Sequence, residues 1–187
     1  TALASLDLNS TGQTNLGGNI TTQGIAGVVL DGATNVDLTS AVTIDTATNN
    51  GVVNLSGGAV DGNFALVVNA GSGAITTGVM GANTALASLD LNSSGQTNLG
   101  GNITTQSATG VTLDGATNID VTSAVTIDTS TGNGAINLAN GGAVDGGNTL
   151  ALTAGSGQID LDAVGANVAL TSLTLTSTGQ TNLDGNI

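Results

Sequence analysis

The chain has 187 residues, with 30 Gly, no Pro, Cys, Trp, Tyr, His, Lys or Arg, and a formal charge of −13 carried entirely by Asp. That inventory allows no catalytic triad, Schiff base or imidazole metal site, and it offers no cation to meet a phosphate or an anionic membrane surface. Yet 39% of the residues are hydrophobic, mostly Val, Ile, Leu and Ala, so the composition is not that of a disordered chain.

From the N-terminus, short strands show as pairs of apolar or β-branched residues two apart, because alternate side chains share one face of a strand. Leu6/Leu8 comes first, followed by Thr14/Leu16, Val28/Leu30, Val42/Ile44, Val53/Leu55, Leu66/Val68 and Ile75/Thr77. Gly, Asn, Asp and Ser fill the joints between them, where positive φ or Asx-turns are needed. At Thr84 the series restarts. Residues 84–106 repeat 1–23 with one change, Thr11 to Ser94, and the match runs on to Asn167 with one inserted residue near Asn140. This second copy supplies Thr97/Leu99, Val111/Leu113, Ile136/Leu138 and Ile159/Leu161. A third copy opens at Val168 and contributes Thr181/Leu183. Residues 1–83, 84–167 and 168–187 are therefore two large repeats and the start of a third, in one continuous array.

Glu, Lys and Arg are absent while Val, Ile and Thr abound, so the class is all-β. Four strand-turn units per large repeat make about 21 residues per unit, the length of one coil in a parallel β-helix, or β-solenoid. About nine coils are expected over the chain. The place shared by Leu16, Leu30, Leu55, Leu99, Leu113, Leu138, Leu161 and Leu183 in the strand motif predicts a single interior ladder. A β-sandwich array would instead show hairpin signals and linkers. Neither is present.

The stretches ALTSLTLTSTGQTNLDGNI and LALTAGSGQIDLDAVGAN resemble the repeats of filamentous-haemagglutinin-type and autotransporter-like bacterial adhesins. The resemblance covers the whole chain and implies a right-handed β-helical shaft, displayed at the cell surface or outside the cell, with no catalysis. Its motifs are degenerate and specify architecture rather than a receptor. The expected function is an extracellular structural fibre or adhesin shaft. The alternative is a filament or matrix protein whose repeats polymerise. Expected partners are further copies, end to end or side by side, and cell-surface or matrix glycans; nucleic acid and membrane insertion are not expected. No apolar run reaches the roughly 18 residues that span a bilayer.

Candidate sites rest on oxygen ligands alone. Asp31, Asn35 and Asp37 gather three donors in seven residues, and Asp114, Asn118 and Asp120 repeat them, a weak signal for calcium. The competing role for Asp31 and Asp114, each followed by Gly, is to start a turn. A polysaccharide-hydrolysing Asp pair is disfavoured because the acids recur with the repeats, as in Asp61 and Asp145, whereas a catalytic pair is singular. Ice binding through outward Thr rows is also weak, since Thr21-Thr22 and Thr104-Thr105 occur once per large repeat and read as solvent-facing strand residues. No cofactor beyond possible calcium is expected.

Overall fold

The computed structural model describes residues 2–32 and 34–187. Among them every strand pairing is parallel, and the only helix is one 3-10 turn at Ala47–Asn49. The chain winds through about eight turns of a β-solenoid, roughly 38 Å of axial rise at about 4.8 Å per turn.

Three ladders of stacked residues define three faces. On the first, Leu6, Val28, Val53, Ile75, Thr97, Ile119, Val144 and Val164 lie one above another. Thr14, Val36, Val60, Met80, Ile103, Ile127, Leu152 and Leu175 make the second. The third stacks Ile20 on Ile44, and beside them Val42, Leu66, Leu89, Val111, Ile136, Ile159 and Thr181. Apart from Thr181, which is exposed on the last turn, these residues line a continuous aliphatic core without a buried aromatic ring. Burial of so many branched side chains, each contributing about 1.5–3 kcal/mol, is what holds a chain this rich in Gly together.

The large repeat does not fit a whole number of turns. Between Leu6 and its counterpart Leu89 the chain visits eleven face positions, which is three turns and two faces. Leu6 is consequently on the first face, Leu89 on the third and Leu173 on the second. Thr14, Thr97 and Thr181 likewise occupy the second, first and third. Each copy is thus turned by one face relative to the last and rises about 18 Å. Eleven short strands per copy, instead of four whole coils, is why the count is eight turns and not nine.

The same stepping corrects the expected leucine ladder. Leu30, Leu55, Leu99, Leu113, Leu138 and Leu161 are buried, but they form more than one line. Leu16 stacks on Leu38 on the second face, Leu55 and Leu99 flank Thr77 on the first, and Leu161 stacks on Leu183 on the third. Leu183, on the last turn, is 47% exposed.

Tight corners need glycine where turns approach backbone to backbone. Gly27 and Gly110 occupy the same place in successive copies with φ of 61° and 71°, and a Cβ there would lie within 2.0 Å of the Val52 or Ala135 carbonyl oxygen on the next turn. Neither a side chain nor another backbone angle fits. The Thr doublets also differ from expectation. Thr21 is exposed, but Thr22 and Thr105 point into the core at 0% exposure, so the doublets form no flat outward row.

Candidate functional site

The outer surface is built from the polar alternates of the inward ladders. Turning by one face per copy separates acids that the sequence repeats. Asp37 is on the second face and Asp120 on the first, while Asp45 is on the third and Asp128 on the second. Homologous carboxylates therefore do not stack on one another. Two directly stacked Asp pairs occur among the described registers, Asp37 with Asp61 and Asp120 with Asp145.

Each pair contains one buried carboxylate. Asp61 and Asp145 are both 2% exposed, and each is surrounded by donors from other turns. Asp145 Oδ1 accepts from the backbone N–H of Asn167 at 2.9 Å and of Val168 at 3.1 Å, and its Oδ2 accepts from Asn167 Nδ2 at 2.7 Å. With its amide nitrogen turned inward, Asn118 adds a bond to Oδ2 at 2.5 Å. Asp61 repeats the arrangement one copy earlier with Asn83, Thr84 and Asn35. Thr84 and Val168 open the next copy in each case, so the carboxylate ties a copy to the start of its successor. Burial pushes the Asp145 carboxyl up, but the Asn167 and Val168 hydrogen bonds outweigh it and hold the group below its ordinary value. This is how a chain without one cation stabilises a buried negative charge.

Comparison with protein-family models, with curated proteins and with solved structures finds no match.

The calcium candidates are distributed as follows. Asp31 is exposed on the corner after Leu30, and Asn35 and Asp37 lie on the strand Asn35–Leu38. Asn118 and Asp120 occupy the matching strand, and Asp114 ends the strand Ile103–Asp114. Asn35 and Asn118 direct their amide nitrogens at Asp61 and Asp145, a role that composition alone did not signal. Asp37 and Asp120 lie near Gln13 and Gln96 on the outer surface, with Nε2–Oδ2 distances of 3.5 and 3.4 Å. No group of three or more acidic, His or Cys side chains able to hold a metal occurs among the described residues. Screening of the unbalanced carboxylates predicts that calcium and sodium at equal ionic strength raise the melting temperature alike. A saturable response to calcium alone, lost in Asp31→Asn with Asp37→Asn, would instead establish a bound ion.

Described residues line two concavities. One lies at the C-terminal end of the core among Val164, Leu170, Leu173 and Ile187. The other is a shallow outer groove beside Asn69, Asn92 and Asp114. Asn92 Nδ2 donates to Asn69 Oδ1 across it at 3.0 Å, a rung linking adjacent turns.

Proposed function

We propose that this chain is a length of non-catalytic shaft, an extracellular or cell-surface fibre of the adhesin-stalk kind. The observation that carries the reading is the unbroken parallel ladder, which continues from one copy into the next through Leu66–Leu89 and Leu150–Leu173. Such a solenoid lengthens by adding copies without changing its cross-section. The residue inventory supports the same reading, since trypsin has no Lys or Arg to cut and catalysis lacks its usual side chains. The stepping adds a property suited to a fibre. Whatever surface one copy presents is shown again one face round and about 18 Å further along, so the shaft has no preferred side.

The second reading, a self-assembling filament, rests on the same ladder, because the parallel pairing that joins one copy to the next within the chain can also join separate chains edge to edge. Solution scattering on arrays of increasing copy number separates the two. A shaft gains about 18 Å of length per added copy at constant cross-section, whatever the protein concentration. Length that grows with concentration at fixed copy number would replace the stalk with the filament. A cross-section that widens with copy number would sink both.

A further inference from the structure

Three Asn-Gly pairs occur in the chain, and the fold treats them differently. Asn50-Gly51 and Asn133-Gly134 are equivalent corners of successive copies, each Asn being left-handed with φ of 56° and 52°. The side-chain oxygens are occupied: Asn50 Oδ1 accepts from Ser72 N–H at 2.8 Å and Asn133 Oδ1 from Ser156 N–H at 2.9 Å. The next residues are tied as well, Gly51 N–H donating to the Thr46 carbonyl at 3.0 Å and Gly134 N–H to that of Thr129 at 3.1 Å. Asn140-Gly141 exists because the second copy has one more residue here than the first, where Leu55-Ser56-Gly57-Gly58 makes the corner. Asn140 is exposed, and no hydrogen bond holds its side chain among the described residues. The Gly141 N–H donates to the Leu138 carbonyl at 3.2 Å, so what sets this corner apart is the free Asn140 side chain.

We propose that Asn140 is a site of spontaneous deamidation, while Asn50 and Asn133 are protected by the fold. The Gly141 nitrogen attacks Asn140 Cγ and loses its proton, the bond from Cγ to Nδ2 breaks, and ammonia leaves with a five-membered imide behind. Water then opens the ring at either carbonyl, giving Asp or isoaspartate. Glycine permits the attack because no Cβ obstructs the approach of the backbone nitrogen. At Asn50 and Asn133 the same attack requires the side chain to leave its backbone partner first. The product adds one negative charge to a chain that already carries −13. Isoaspartate also lengthens the backbone beside the Asn140 carbonyl, which accepts from Gly115 N–H on the preceding turn at 2.8 Å. The modification thus loosens a rung of the solenoid just ahead of the strand that carries Asp145.

The test is incubation of the folded chain at mildly alkaline pH, followed by cleavage before Asp and tandem mass spectrometry. Deamidation at Asn140 should outrun that at Asn50 and Asn133 by about tenfold, the factor for about 1.4 kcal/mol of hydrogen bonding that must be lost first. In strong urea the three sites should convert at similar rates. Equal rates in the folded chain would overturn the proposal. So would an Asn140 lead that persists unchanged in urea, because local sequence and not the fold would then be its cause.

Discussion

Leu113→Asp is expected to destroy the middle of the shaft, while Leu183→Asp at the equivalent motif position is expected to be tolerated. Leu113 is fully buried on the third face, stacked on Leu91 of the turn before. A carboxylate there has no donor within a dry aliphatic core, and leaving it unpaired costs about 3–5 kcal/mol. In a solenoid each turn is stabilised by its two neighbours, so a broken turn uncouples the halves on either side of it. Urea unfolding followed by circular dichroism should show the single wild-type transition divide or fall sharply in midpoint. Leu183 is 47% exposed, and an Asp there can keep its charge in water. Equal effects of the two substitutions would mean that these two leucines are not ordered as the ladders place them.

Asp145→Ala should be the most damaging change at any polar position of the second copy. It strands three donors of Asn167 and Val168 along with the Asn118 amide, at a cost of about 3 kcal/mol, or roughly 10 °C in melting temperature. The effect has a pH signature. The Asp145 pKa is lowered below 3.8 in the fold, so the unfolded chain takes up the proton at higher pH than the native one. The stabilisation is therefore fully present at neutral pH, begins to fall as the pH drops through 3.8, and is lost below the lowered native value. The gap between wild type and Asp145→Ala should close over that acid window. A gap that stays constant down to strongly acidic pH would show that the side chain matters for shape and not for charge.

Much of this molecule follows from local chemistry. Pairs such as Val28/Leu30 and Ile159/Leu161 are visible because a strand's period of two needs no knowledge of its neighbours. The parallel, repetitive stacking follows from the recurrence of those pairs without linkers, and the absence of helix follows from the missing Glu, Lys and Arg. The buried role of Asp61 and Asp145 was not legible, because in sequence they are two more Asp-Gly corners. Their donors come from Asn35 and Asn83, or Asn118 and Asn167, all more than twenty residues away.

Which face a strand occupies was decided only in three dimensions. Ile75 and Met80 sit on successive faces five residues apart, whereas Leu6 and Thr14 need eight for the same step. Sequence spacing therefore cannot count corners. Met80 contributes only isolated bridges, to Val60 and Ile103, and has no paired partner two residues away to mark it as a strand. The sequence by itself determined a parallel, all-β, repeating solenoid with aliphatic residues inside. The tertiary structure decided that a copy closes after eleven faces, since the angle turned accumulates over corners of unequal length and only the stacked hydrogen bonds of neighbouring turns set where each strand comes to rest.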